Sequence, residues 1–359
     1  MDASPKKLYS LVSMRGIAAW LVVFFHSKEL FQPGLPSLLD KVVRHGYLAV
    51  DLFFVLSGFI IYLNYHSKFN EIKLQEILHF YWNRLTRIYP AHFFVLFAYC
   101  TFILLFPYFS SSGKIPSNFT FRSLIESLFL VQAWIGDIDA WNIPSWSISA
   151  EWFVYLIFPF ALTMLLRRFK TPRAHLIALV VLFCGIFAIY DRLGLASIGG
   201  NIASLALVRA MLEFCCGTLI GSLYVWHQVF IRQLRLVLIF LLILLSGAAA
   251  ILALQDYAWA PAIFTLLIAF LSIDQSVVSR ILGNRLLVYL GEISYSTYIV
   301  HYMIYEIFKA VFVRDLENVN QIYLYGSFLV VLLTSTLMHR FVEVPAQNFF
   351  RKKFAPTNS

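Results

Sequence analysis

Apolar runs of about twenty residues recur along the chain, separated by short stretches that collect Lys, Arg, Asn, Gly and Pro. Runs of that length suit helices that cross a hydrocarbon layer ~30 Å thick. Ten such runs occur, over 12–31, 47–66, 88–108, 148–166, 174–191, 203–225, 236–255, 258–273, 286–311 and 322–341. The pattern predicts an all-α integral membrane protein with about ten transmembrane helices. The stretch SLIESLFLVQAW (123–134) is too short and too interrupted to cross, and reads as a re-entrant or interfacial piece. No tract is long and polar enough for a separate soluble domain, so residues 1–359 read as one membrane domain.

Composition sharpens this picture. Hydrophobic residues make up 60% of the chain and charged residues only 13%, against roughly 25% in soluble domains. Lys6 and Lys7 precede the first run, but no small-x-small cleavage site follows His26, so the first run is expected to stay as an uncleaved span. The net charge of +9 is explained by topology rather than by nucleic acid, and no nucleic-acid partner is expected. With the N-terminus inside, 19 of the 28 Lys and Arg fall on inner loops and ends, including Lys68, Lys73, Arg167, Arg168, Arg232, Arg235 and Lys353. That excess predicts cytoplasmic N- and C-termini. Cys100, Cys184, Cys215 and Cys216 all lie in apolar runs, with no spacing that supports a disulfide or a metal. The outer loop 109–147 carries Trp134, Asp137, Asp139, Trp141 and Trp146. Acid beside aromatic suits sugar binding and interfacial anchoring equally. Asn118-x-Thr120 has the form of a glycosylation acceptor, incidental in a bacterium.

The polar exceptions inside the apolar runs carry the chemistry. Arg15 and His26 are eleven residues apart; at about 100° per residue they share one helix face, some 16 Å apart along the axis. Intramembrane ionisable groups face a bundle interior or a cavity. Asp51 reaches a depth similar to His26 and has three open readings: a helix cap, a partner of Arg44, or a group orienting the imidazole. Ser57-Gly58 offers either a close helix contact or a donor to a reacting carbonyl. Arg84 and Arg87, at i,i+3 in YWNRLTRIYP, can aim two guanidinium forks at lipid headgroups or at the phosphates of a nucleotide-bearing thioester. Glu151, among Trp146, Trp152 and Phe153, can hold sugar hydroxyls, act as a base or pair with Arg192 or Arg209. Ser294, Tyr298, His301 and Tyr305 fall on one face of the ninth run, and His301 rivals His26 as the catalytic group. Glu343 is placed to pair with Arg84, Arg87 or Arg15.

G-x-S-x-G, H-E-x-x-H, P-loop and G-x-G-x-x-G signatures are missing, which argues against serine-hydrolase, zinc and nucleotide-cradle chemistry. What is present, in order, is Arg15-x10-His26, Phe53-Phe54-x-x-Ser57-Gly58, Arg84-x-x-Arg87 before Ile88-Tyr89-Pro90, Ser147 to Glu151, Ser294-Tyr295 with Tyr298 and His301, and Glu343-x-Pro345. This ordered set resembles the acyltransferase 3 family of membrane acyltransferases, over essentially the whole chain.

The resemblance implies a ten-span domain of the bacterial plasma (inner) membrane. It moves an acyl group, often acetyl, from cytoplasmic acyl-CoA to a hydroxyl of a cell-surface or lipid-linked glycan, as in O-antigen or exopolysaccharide O-acetylases. Acyl-CoA is then a co-substrate, with no bound cofactor or metal expected. It also implies an arginine pair serving CoA, with Arg15, Phe53, Phe54, Ser57 and Gly58 on the acyl-CoA side, and a first-span histidine doing the chemistry. Asp51, Glu151 and His301 are its candidate helpers, and Trp146, Ser149, Tyr295, Tyr298 and Glu343 are candidate acceptor-side or supporting groups. Some members carry an added extracytoplasmic hydrolase-like domain; the sequence ends at Ser359, soon after the tenth run, so a stand-alone member is expected. Buried His, Asp and Glu also mark proton relays, so a proton-coupled transporter or flippase remains the alternative.

Overall fold

The computed structural model describes residues 8–31, 34–70, 73–109, 117, 119–135, 140–160, 169–313 and 319–353. Lys6, Lys7, Asn118, Asp137, Asp139, Arg167 and Arg168 lie outside the described residues, as does the side chain of Lys353. Among the described residues the protein is helical, with no strand. Ten helices reach twelve residues or more, each falling on one predicted run: α1 (Tyr9–His26), α2 (Ala49–Tyr65), α3 (Leu74–Phe109), α4 (Trp146–Ile157), α5 (Pro172–Arg192), α6 (Ile202–Trp226), α7 (Arg235–Ile251), α8 (Ala260–Ile273), α9 (Ser294–Phe312) and α10 (Gln321–Met338).

Six helical stretches are long and apolar enough to cross a membrane unaided: Tyr9–His26, Gly46–Tyr65, Leu74–Tyr108, Pro172–Arg192, Ile202–Trp226 and Gln321–Phe350. α7 and α8 are apolar but shorter. For α4, the second half of the predicted run, 161–168, lies outside the described residues. α3 starts at Leu74 rather than near 88, because Leu74, Ile77, Tyr81 and Leu85 continue a helical stripe that mean hydropathy does not register. Its 36 residues correspond to about 54 Å of helix. Segment 119–135 forms a short helix, Phe121–Leu128, and a 3-10 turn, Gln132–Trp134, neither long enough to cross.

The chain divides into two compact units. The first takes the described parts of Met1–Ala18, Leu48–Lys73 and Leu156–Glu292. Its centre is the packing of α2 on α6. A Cβ at Gly58 would run into the Phe214 carbonyl, and one at Gly217 into that of Val55. The two backbones therefore meet where only hydrogen fits, the small-residue packing of helices in lipid. At one end of this contact Arg209 Nε and Nη2 donate to the two Asp51 carboxylate oxygens, both at 2.6 Å. Asp51 and Arg209 are 0% and 3% exposed.

The second unit takes the described parts of Ala19–Tyr47, Leu74–Tyr155 and Ile293–Ser359. In it α9 packs on α10 and on α3. The start of α4 is pinned to the middle of α9: the Asn142 side-chain amide donates to Ile299 O at 2.8 Å, and the Ser147 and Tyr298 hydroxyls are 2.7 Å apart. The C-terminal run is interrupted by a π-helical turn, His339–Glu343, before the helix Val344–Lys353. Pro345 has no N–H to return to the preceding turn, and a wider turn accommodates that loss.

Candidate active site

α9 arranges the polar groups of the second unit along a single axis. Near its start, the Tyr295 hydroxyl donates to Ile88 O on α3, and the Arg87 guanidinium lies over the Tyr295 ring, 5.4 Å from its centroid. Arg87 is ion-paired with Glu343. That carboxylate is 1% exposed and also accepts from Ser296 at 2.8 Å and from the Gln347 amide at 3.3 Å, with His339 Nδ1 at 3.1 Å. The π-helical turn aims Glu343 inward, into this cradle. Arg84, one turn earlier on α3, lies 6.0 Å from the Tyr155 ring centroid, and the Tyr155 hydroxyl donates to Glu151. Of the three partners predicted for Glu343, Arg87 is the one the geometry documents. Glu151 stands on this arginine side, while the Arg209 predicted as its partner directs its fork at Asp51.

Two turns further along α9 stand the imidazoles. His301 Nδ1 donates to Tyr298 O at 2.7 Å, so its Nε2 keeps a lone pair. That nitrogen is 3.2 Å from His26 Nδ1, which also lies 2.9 Å from Val22 O. Both neighbours of His26 Nδ1 are acceptors. The network therefore assigns the proton to Nδ1 and leaves Nε2 of His26 with its lone pair, the state a base needs. The edge of the Tyr302 ring closes on the His26 ring, with centroids 5.1 Å apart. Tyr298 and His301 are buried, as the polar stripe predicts, and Tyr305 on the same stripe is half-buried.

The other predicted site residues take different places. Trp146 is buried where α4 begins. Ser149 stitches the preceding loop, donating to Leu130 O at 2.7 Å and accepting from Ala133 N at 3.2 Å. Asp51, Phe53, Phe54, Ser57 and Gly58 lie on α2 in the first unit. Gly58 is a close helix contact. Arg44 pairs with Asp40 at 2.8 Å, and Asp51 with Arg209. Arg15 is half-buried on α1, which runs unbroken to His26. Glu306, Tyr302 and Tyr99 stand near this site without belonging to any motif of the sequence. Glu306 is an acid five residues beyond His301, inside a predicted span, and that was the available signal.

A half-buried and a buried imidazole in contact, two arginines beside tyrosine faces and a buried carboxylate anchor lie together in one helical unit. Residues 8–340 match the acyltransferase domain family known as acyltransferase 3. The chain belongs to that family. It is 26% identical to O-acetyltransferase OatA of Staphylococcus aureus (strain NCTC 8325 / PS 47) over an aligned length of 391, covering 98% of this chain and 59% of that protein. It is also 26% identical to acyltransferase MdmB of Streptomyces mycarofaciens over 319 positions, covering 83% of this chain and 79% of that one. The chain thus spans about three-fifths of the staphylococcal relative's length. No solved structure matches it.

Proposed function

We propose that the protein is an O-acetyltransferase of the bacterial plasma membrane. It takes an acyl group, acetyl first among candidates, from cytoplasmic acyl-CoA and gives it to a hydroxyl of a cell-surface or lipid-linked glycan. Ten spans with both termini in the cytoplasm put the arginine end of α9 on the donor side. Arg84 and Arg87 meet the phosphates of CoA, Arg87 held in aim by Glu343. The acyl arm reaches inward along the face of α1 that carries Arg15. His26 Nε2 takes the proton of the acceptor hydroxyl as its oxygen attacks the thioester carbonyl carbon. Collapse of the tetrahedral adduct breaks the C–S bond, and the imidazolium returns the proton to the departing thiolate, leaving an ester and free CoA. Base assistance of this kind contributes about 10²–10⁴-fold.

The observation that carries the reading is the His26–His301 contact at 3.2 Å, in the same compact unit as the Arg87–Glu343 pair. The decisive experiment follows thiol release from acetyl-CoA by purified protein supplied with the surface-glycan fraction of a strain lacking the gene. Wild type should release CoA and place labelled acetyl on the glycan, and His26→Ala should do neither at equal expression. Arg84→Ala should raise the KM for acetyl-CoA. A wild-type protein that binds glycan but never frees CoA would instead be a transporter.

A further inference from the structure

Beyond the imidazoles, on the side of α9 away from Arg87, lies a second group of polar atoms that acyl-CoA chemistry does not use. Glu306 follows His301 by five residues, about 7.5 Å along the helix. Tyr302 and Tyr305 lie between them, their ring centroids 5.7 Å apart. From α3 the Tyr99 side chain, 0% exposed, faces the Glu306 carboxyl. Tyr99 also packs against Phe102 and Phe119, and Phe119 against Trp141. The Tyr99 hydroxyl and the Glu306 carboxyl interact with one another, yet neither the buried hydroxyl nor the buried Glu306 Oε2 is closed by a well-formed hydrogen bond; two turns back on α9, Asn142 Oδ1, whose amide is tied to Ile299, is also buried without a partner.

Buried polar atoms left unsatisfied cost about 1–3 kcal/mol each. Two such atoms on a facing phenol and half-buried acid, backed by aromatic rings, make a costly arrangement unless a ligand completes it. A carboxylate and a phenol that accept and donate to hydroxyls, next to ring faces that cover C–H surface, fit a polyhydroxylated ligand. The site touches the chemistry through Tyr302, whose ring meets both His26 and His301. Measured along α9, the arginine-bound Tyr295 precedes His301 by about 9 Å and Glu306 follows it by about 7.5 Å. Donor and acceptor would thus approach the imidazole from opposite ends of one helix.

We propose that Glu306, with Tyr99 and Tyr302, is the acceptor subsite: the carboxyl and phenol hold neighbouring hydroxyls of a sugar so that one hydroxyl is presented to His26. This rests on reading His26 as the base, and the test separates the two. With acetyl-CoA and the glycan fraction of the gene-deleted strain, the concentration of each is varied in turn. Glu306→Gln should raise the acceptor KM 10–100-fold while leaving the acetyl-CoA KM within twofold. Tyr99→Phe, which keeps the ring and removes only the hydroxyl, should raise it several-fold and covers the case in which Glu306→Gln does not fold. Unchanged acceptor KM in both folded variants, with His26→Ala inactive, would overturn the subsite alone. Full turnover by His26→Ala, or no transfer by wild type, would overturn the underlying reading and the subsite with it.

Discussion

If His26 is the base, His301 serves it through what its own Nδ1 is doing. With that proton given to Tyr298 O, Nε2 can only accept, and it accepts from His26. When His26 becomes an imidazolium, the same lone pair steadies the charge, as the third member of a catalytic triad does. His301→Phe keeps an aromatic plug and loses the acceptor; kcat should fall 10²–10⁴-fold with the acetyl-CoA KM nearly unchanged. His301→Gln can still present a carbonyl oxygen and should recover part of the rate. Equal activity in both variants, by thiol release under saturating donor, would reduce His301 to packing. Both histidines stand out in the sequence as ionisable groups in apolar runs. Their contact does not, because 275 residues separate them and no period links two helices that pack side by side. Asp51 shows the same limit: position along one helix says nothing of which face meets Arg209.

At the scale of elements, α2 and α6 form the tightest contact in the first unit, and the Asp51–Arg209 pair sits inside it. Glu213, one turn along α6 from Arg209, is likewise fully buried. Removing one partner of a buried ion pair leaves an uncompensated charge, worth roughly 3–5 kcal/mol. Arg209→Met and Asp51→Asn should therefore sharply lower the temperature at which the detergent-purified protein loses monodispersity. Glu213→Gln leaves the pair whole and should be much milder. Asp51→Asn protein that stays folded should keep most of its thiol-release activity; a catalytic collapse without loss of stability would return Asp51 to the chemistry. The glycines that allow this contact are visible in the sequence as Ser57-Gly58 and Cys216-Gly217, but their pairing is set by the match of two curved surfaces. Helix positions were easier to read, since each apolar run is a local property. The early start of α3 escaped because its stripe is amphipathic, and the π-helical turn because its cause, Pro345, lies past its end.

For the molecule as a whole, function depends on which membrane face each loop occupies. The arginine end of α9 must be cytoplasmic if acyl-CoA is the donor, and the Glu306 end must then look outward, toward surface sugars. Charge distribution argues for that orientation, since 19 of the 28 Lys and Arg fall on inner loops and ends in it, Arg232 and Arg235 at the turn between α6 and α7 among them. Ser37 and Gln233 are both exposed, one on the connection from α1 to α2 and one at the turn between α6 and α7, and neither takes part in the proposed site. In a background with the four cysteines replaced, a membrane-impermeant maleimide added to whole cells should label Ser37→Cys at once. Gln233→Cys should label only after the membrane is opened. The reverse pattern would put the guanidinium pair outside, where no acyl-CoA is available, and would end the case for a cytoplasmic donor whatever the histidine variants do. Labelling of both positions from outside would instead refute an odd number of crossings between them. The spacing of apolar runs assigns five helices to that interval, α2 to α6, so the experiment also tests the short α4, the helix whose crossing rests on the fewest described residues.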